Sequence, residues 1–324
     1  MFNIKQISKI EFVEMTGSFS GILSPVDWTG GSGVTAQFIE DAEKYHSHYF
    51  DISYATYQLS VALDVMDAGF EPQLILDVGS GSGTSVIALL ERFSSAHVIC
   101  TDVSPQLLSI CMREVERRGL GGRCTYLCID LNHEVFIGRN FDLVIGSAIL
   151  HHLFEPEKLI KSCLAATKIN GAASFFEPFE VGYVMLGVIY RLLLSYTNFD
   201  NFLPEKIENF FRDKVKSYLL MKCEPKDYLT YENIDDKWMF TQDYFRGIAC
   251  RLGSRLEMSV LNSSPSPWTD QVRTDLRLGL GLDPSDLPDW AWSVISAIEA
   301  DISQSAKEDM AVARVVTFFP NLEI

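Results

Sequence analysis

From residue 71 onward, short runs of apolar residues alternate with stretches in which apolar positions recur every three or four residues. This is the pattern of strands separated by amphipathic helices. Leu74–Val78 reads as the first strand, and Thr84–Phe93 follows as a helix with Val86, Ile87, Leu90 and Phe93 near one face. His97–Asp102 reads as the second strand. Ser104 and Pro105 then supply a cap and a first helical residue for a helix that carries Leu107, Leu108, Cys111 and Val115 and stops at Gly119. Cys124–Ile129, Phe141–Ser147 and Ala172–Phe176 are predicted as the third, fourth and fifth strands, with a helix marked by Leu159, Ile160, Cys163 and Leu164 before the fifth. A helix over Phe240–Leu252, a sixth strand over Ser254–Leu261 and a seventh over Ala311–Phe319 complete the series. Seven strands with five helices between them predict an α/β fold: a mostly parallel sheet with helices on both faces.

Three stretches fall outside that sheet, and they divide the chain. Residues 1–70 form an N-terminal extension expected to be helical and lid-like, and 71–180 form the first half of the core. Residues 181–239 are a helical insertion, with Tyr183, Leu186, Tyr190, Leu193 and Leu194 at helical spacing and an amphipathic Pro204–Leu220 behind them. Residues 240–324 hold the second half of the core, interrupted at about 263–306 by an insertion containing Trp290 and Trp292. Insertions beyond the carboxyl ends of strands usually cover a ligand crevice, so the first two are read as a lid. The pattern leaves open whether the third joins them or lies on the opposite side of the sheet.

Composition narrows the possible partners. A formal charge of −16 over 324 residues argues against a polyanion, because nucleic-acid binding draws on clustered Lys and Arg. The seven cysteines are scattered with no C-x-x-C pair, as expected of reduced thiols in a cytoplasmic protein. Met1–Ile10 lacks the apolar run of a secretion signal, and Val181–Tyr196 is short for a membrane span and contains Arg191. The expected partner is a small molecule, with no nucleic acid and no membrane; a homodimer stays open.

The candidate chemistry centres on Leu-Ile-Leu-Asp-Val-Gly-Ser-Gly-Ser-Gly-Thr, residues 74–84, where a strand ends in an acid and three glycines alternate. In a dinucleotide-binding turn, backbone N–H groups and a helix N-terminus approach a pyrophosphate, and a carboxylate at Asp77 would oppose it. Thr84 also stands where the third glycine of G-x-G-x-x-G would fall. The acid favours instead a ligand with a cationic end and no phosphate, such as S-adenosyl-L-methionine. The stretch resembles the first motif of the class I S-adenosylmethionine-dependent methyltransferases of small molecules, (D/E)-x-G-x-G-x-G. The resemblance covers residues 74–147 and implies a seven-stranded Rossmann-like methyltransferase sheet. It also implies that Asp77 and Gly79 hold the methionine end of the cofactor, with Ser80, Gly81 and Gly83 also among the cofactor-binding residues. Asp102 with Val103 would take the ribose hydroxyls, Asp130 with Leu131 would meet the adenine, and Ser147 would complete the set.

The fourth strand runs into Ser147-Ala-Ile-Leu-His151-His152-Leu153, which resembles the A-L-H-H-L segment of many such enzymes. A hydroxyl or acidic carbon acceptor must lose a proton, and a histidine titrates close to operating pH. His151 or His152 is therefore the candidate catalytic base; the alternative is that both are structural. Among the aromatic residues before the first strand, Tyr49 or Tyr54 is the candidate to close over the cofactor, against a packing role for most of them. His46 and His48 point to different faces of a helix with no further ligand nearby, so no metal is expected.

The expected function is metal-independent methyl transfer from S-adenosyl-L-methionine to a small, rather apolar metabolite in a biosynthetic step. Oxygen is the first guess for the acceptor atom, with carbon and nitrogen open. A protein of the same fold that binds the cofactor without methylating, as a cyclase, sensor or scaffold, is the alternative. A nicotinamide-dependent oxidoreductase fits the glycine spacing less well.

Overall fold

The computed structural model describes residues 4–30, 41–130, 135–198 and 200–321. Its centre is one sheet that includes all seven expected strands: β3 (Leu74–Val78), β4 (His97–Asp102), β5 (Cys124–Cys128), β6 (Phe141–Ser147), β7 (Thr167–Pro178), β8 (Arg255–Val260) and β9 (Ala313–Phe319). Two strands that the sequence pattern did not disclose, β1 (Phe12–Glu14) and β2 (Ile22–Pro25), extend it to nine in the order β1-β2-β5-β4-β3-β6-β7-β9-β8. β2 pairs in parallel with β5 and in antiparallel fashion with β1, so the first 30 residues widen the sheet and are not helical throughout. At three and four residues these strands are too short to display an alternating pattern, yet Ile22 is fully buried against the neighbouring layer.

The chain reverses its strand order at β3, which lies between β4 and β6, both parallel to it. That reversal opens a crevice outside the carboxyl ends of these strands. Ile75, Leu76, Asp77 and Val78 are all buried, since helices cover both faces and leave no polar side to alternate with. α1 (Ala42–Tyr49), α2 (Ile52–Leu63), α3 (Thr84–Arg92), α4 (Pro105–Glu116) and α5 (Pro156–Ala166) supply those layers. α4 begins as its sequence signals: Oγ of Ser104 accepts the Leu107 amide at 3.1 Å, with Pro105 in the first turn. β7 starts five residues before the apolar run that marks it, at Thr167. Its register against β6 shifts between Phe141 and Leu143, so that Lys168–Gly171 bulge opposite Asp142.

The last core strand, β9, runs antiparallel between β7 and β8. The helices of the two later insertions share one apolar core. α6 (Glu180–Tyr196) and α7 (Glu205–Leu220) are followed by the single-turn α8 (Tyr228–Tyr231) and by α9 (Gln242–Arg251) on the sheet. α10 (Pro267–Thr274), α11 (Asp289–Ala300) and α12 (Gln304–Asp309) belong to the third stretch. Leu186, Ile189 and Leu193 of α6, Ile207 and Phe211 of α7, Trp268 and Val272 of α10, and Ala291 and Ile295 of α11 pack together. The opposite-side alternative for residues 263–306 is thereby ruled out, because the apolar faces of both insertions are buried against each other. Within this layer Tyr190 stacks on Phe211 with centroids 4.3 Å apart and donates its hydroxyl to Asp275 at 2.6 Å. At Gly182 a Cβ would lie 2.6 Å from the backbone of Val312, so only glycine lets α6 leave the sheet beside the entry to β9.

Candidate active site

β3 ends in Asp77, and the turn behind it takes three left-handed steps at Gly79 (φ +69°), Gly81 (φ +51°) and Gly83 (φ +98°), conformations that residues with a Cβ adopt at a cost. Ser80 fastens the turn to β4. Its amide donates to the Thr101 carbonyl at 2.8 Å, and its Oγ accepts the Thr101 amide at 3.0 Å and donates to the Asp77 carbonyl at 3.2 Å. A Cβ at Gly83 would sit 2.7 Å from Sγ of Cys111, which explains the close seat of the turn on α4. At Gly81 the same atom would meet nothing within 4 Å and would enter open space.

Two carboxylates face each other across this turn. Asp77 is fully buried; its Oδ2 accepts Oγ of Ser85 at 2.5 Å, while Oδ1 has no hydrogen-bond partner. Burial pushes its carboxyl up to about 7, with the neighbouring charge of Asp102 adding to the effect against the Ser85 hydrogen bond. Asp102 accepts the Gly81 amide on Oδ2 and the Ser104 amide on Oδ1, both at 2.9 Å, and burial raises its carboxyl despite these bonds. Val103 and Asp130 follow on β4 and β5 and are half-buried, whereas Leu131 lies outside the described residues. An orphaned, buried carboxylate oxygen fits a cation at Asp77. The two backbone bonds hold Asp102 at the carboxyl end of β4, where the resemblance implies a contact with ribose.

The tyrosines divide. Tyr54 lines a cavity of about 640 Å³ beyond the ends of β6 and β7, together with Gln58, His151, Glu177, Tyr183 and Asp236. Tyr49 is exposed on α1, its ring 4.9 Å from Tyr45. It is Tyr45 whose hydroxyl feels the charge of Asp102: burial first, then that charge, pushes it up to about 12. The sequence carried Tyr45 only as one aromatic among several. Ser147, expected at the cofactor, donates its hydroxyl to Oε1 of Gln58 at 3.2 Å and so ties the end of β6 to α2.

The segment after β6 touches both regions. Ile149 lies over Gly79, where a Cβ would approach its Cδ1 to 2.8 Å, and Ala148, with φ +56°, lines the cavity. Glu177, at the end of β7, accepts the amides of Ile149, Leu150 and His151 at 3.0, 2.8 and 3.3 Å and meets Nδ1 of His151 at 2.7 Å. Nε2 of His151 lies 3.5 Å from Oδ1 of Asp236. Burial opposes the charge on this ring, but the two carboxylates outweigh it and hold the imidazole well above its usual range, at about 10. His151 is therefore an imidazolium at neutral pH, in a form that cannot take up a proton. His152 is driven the other way, to about 3, by burial and by the charge of His151, and its Nδ1 meets the Asp235 carbonyl at 3.0 Å. The pair expected as a base thus separates into a charged ring on the cavity and a neutral one beside it.

Glu177 and Asp236 are the residues of the candidate site that sequence reasoning missed. Glu177 was visible only as an acid at the end of a strand. Asp236 sits 84 positions after His152 in a polar stretch, Asn-Ile-Asp-Asp-Lys, that carries no local signal. His46 and His48 join no cluster of metal ligands among the described residues; His151, His152 and Asp236 do.

Residues 75–171 match a family described as a methyltransferase domain. The ubiquinone biosynthesis O-methyltransferase of Coxiella burnetii is 30% identical over 101 residues, 31% of this chain and 42% of its own length. The malonyl-[acyl-carrier protein] O-methyltransferase of Acetivibrio thermocellus is 25% identical over 127 residues, 38% and 43% of the two chains. The matched stretch thus spans less than half of either curated relative. Among solved structures the [4+2]-cyclase SpnF superimposes with a TM-score of 0.52 at 14% identity, over 90% of this chain and 99% of that one, which shows a common fold. No helix among the described residues is long and apolar enough to cross a membrane. The match over residues 75–171, with the glycine turn and the strand order around it, shows a methyltransferase domain in this chain, similar to those of the class I S-adenosylmethionine-dependent methyltransferases.

Proposed function

We propose that this protein transfers the methyl group of S-adenosyl-L-methionine to a small molecule seated in the cavity between the sheet and the insertion helices. The observation that carries the reading is the buried, unpartnered Oδ1 of Asp77 at the glycine turn, which suits a ligand ammonium and opposes a phosphate. Asp77 would hold that ammonium, Asp102 the ribose hydroxyls and Asp130 the adenine edge. When bound, the cofactor supplies a methyl group activated by its sulfonium. The protein's own task is then to align the acceptor and exclude water. α6, α7 and the 233–236 loop, which contribute Tyr183, Tyr218, Leu220, Ile234 and Asp236 to the cavity wall, would act as the lid.

The walls combine aromatic and aliphatic surface with a polar end formed by His151, Glu177 and Asp236. This favours a largely apolar acceptor whose one polar group, an oxygen in the first place, reaches that end. The His151 imidazolium would lower the acceptor's pKa by its charge, so that a phenol or carboxylic acid gives its proton to solvent on binding and attacks the methyl group as the oxyanion. Purified protein should release S-adenosylhomocysteine from S-adenosyl-L-methionine when offered phenolic or carboxylic acceptors in a panel. Tight cofactor binding with no turnover across oxygen, nitrogen and carbon acceptors would favour the second reading, a non-methylating reaction on the same scaffold. A non-methylating activity is supported by the [4+2]-cyclase SpnF, which shares the fold over nearly its whole length.

A further inference from the structure

We propose that His151, His152 and Asp236 form a binding site for a divalent first-row transition-metal cation, Zn²⁺ in the first place, at the polar end of the cavity. One ligand atom from each of the three lies within 4.8 Å of the others. Oδ1 of Asp236 is 3.5 Å from Nε2 of His151 and 3.5 Å from Nδ1 of His152. Ligand atoms around a tetrahedral cation with bonds of ~2.1 Å are about 3.4 Å apart, so both separations have the length of a coordination edge. The Asp235 carbonyl, 3.0 Å from Nδ1 of His152, accepts a hydrogen bond in the metal-free protein and is placed to add a further oxygen.

Ligand chemistry selects the ion. Two imidazole nitrogens and one carboxylate suit Zn²⁺, Mn²⁺ or Fe²⁺, whereas Mg²⁺ and Ca²⁺ prefer oxygen donors throughout. Behind the ligands stands a second carboxylate: Oε2 of Glu177 meets Nδ1 of His151 at 2.7 Å, the arrangement that fixes a histidine's tautomer and turns its Nε2 toward a metal. Glu177 is itself immobilised by three backbone amides.

The ligands come from two distant parts of the chain, yet they are fastened together. The amides of Lys237 and Trp238 donate to the His151 carbonyl at 2.8 and 3.3 Å, and the Trp238 indole N–H donates to the Leu153 carbonyl at 2.8 Å. Asp236 is therefore held against the two histidines by the backbone on its carboxyl side. Its side chain is about half exposed (55%) and lines the cavity, which leaves open positions for water or an acceptor oxygen. A cation there would displace the Nε2 proton of the metal-free His151 imidazolium, link the insertion to the sheet and set a Lewis acid beside the acceptor in place of that ring charge. The site is independent of the methyl-transfer reading, since metal binding can be measured without turnover.

The test uses the full chain, stripped with a chelator and kept reduced. Calorimetric titration with ZnCl₂ should give one site per chain, with affinity lowered at least 100-fold in His152→Gln and in Asp236→Asn. CoCl₂ should give a visible d–d spectrum without the near-ultraviolet band of thiolate ligation, which separates this site from the seven cysteines. Binding of fewer than one ion in five chains, a thiolate spectrum, or an affinity that neither variant changes would overturn the proposal. Circular dichroism of the variants checks that they fold. Titration of the same metal-free sample with S-adenosylhomocysteine reads the cofactor site separately, so the two proposals fail independently.

Discussion

Oγ of Ser85, in the first turn of α3, donates to Oδ2 of Asp77 at 2.5 Å and leaves the other carboxylate oxygen buried without a partner. A serine eight residues along the chain thus engages one oxygen of the acid near the end of β3 and leaves Oδ1 as the one with no protein partner.

This arrangement predicts a pH dependence of binding. Burial raises the Asp77 carboxyl from 3.8 to about 7, so between these values the folded, ligand-free protein holds a proton that the unfolded chain has lost. The contribution of this group to stability is complete below about pH 4 and is lost as pH rises to about 7. An ammonium ligand has the opposite preference and needs the carboxylate. Affinity for S-adenosylhomocysteine, measured by calorimetry between pH 5 and 8, should rise with pH by up to about tenfold per unit and level off above about 7. Asp77→Asn should abolish the slope and weaken binding by roughly 10–100-fold.

Gly79→Ala should destabilise the fold and remove cofactor binding together. The added methyl meets Ile149 at 2.8 Å on a left-handed residue, which predicts a loss of about 1–3 kcal/mol in urea unfolding. Ile149→Ala in the same chain should relieve the contact and leave only the backbone strain. If the double variant were no more stable than expected from adding the two single effects, that close approach would not be the cause.

Glu177→Ala would leave the amides of Ile149, Leu150 and His151 without their acceptor in a buried turn. Each such amide costs roughly 1–3 kcal/mol, so the variant should lose several kcal/mol or fail to fold. Glu177→Gln retains one oxygen acceptor and should fold, with the imidazole of His151 titrating lower than in the unaltered protein in NMR of the metal-free samples.

Tyr190→Phe removes the hydroxyl that donates to the buried Asp275 while keeping the ring on Phe211. A loss of about 1–3 kcal/mol is expected from the carboxylate left short of a donor. Because the pair lies in the insertion layer, limited proteolysis should cut first within residues 181–239, with the sheet spared. Simultaneous cutting of the sheet would show that the two layers unfold as one unit.

The core was legible because its signals are local. Leu74–Val78 and Phe141–Ser147 were read to the residue, since strands buried on both faces are apolar throughout and end sharply at turn chemistry. The Ser104-Pro105 start of α4 was equally plain. β1 and β2 were not legible, because strands of three and four residues at a sheet edge owe their existence to β5 and have little pattern of their own. The insertions read as helices, but the burial of Trp268 against Leu186 and Phe211 depends on how separate amphipathic faces meet.

At the candidate site, the sequence by itself determined the glycine turn and the acids around it. An acid, three alternating glycines and acids at the ends of the next strands need only strand order to converge, and strand order follows from the alternation of strands and helices. Tertiary structure alone decided the polar end of the neighbouring cavity. There His151 takes its charge from Glu177, 26 residues away, and from Asp236, 85 residues away. A histidine's protonation is set by the charges around it in space, and spacing along a chain does not encode those distances.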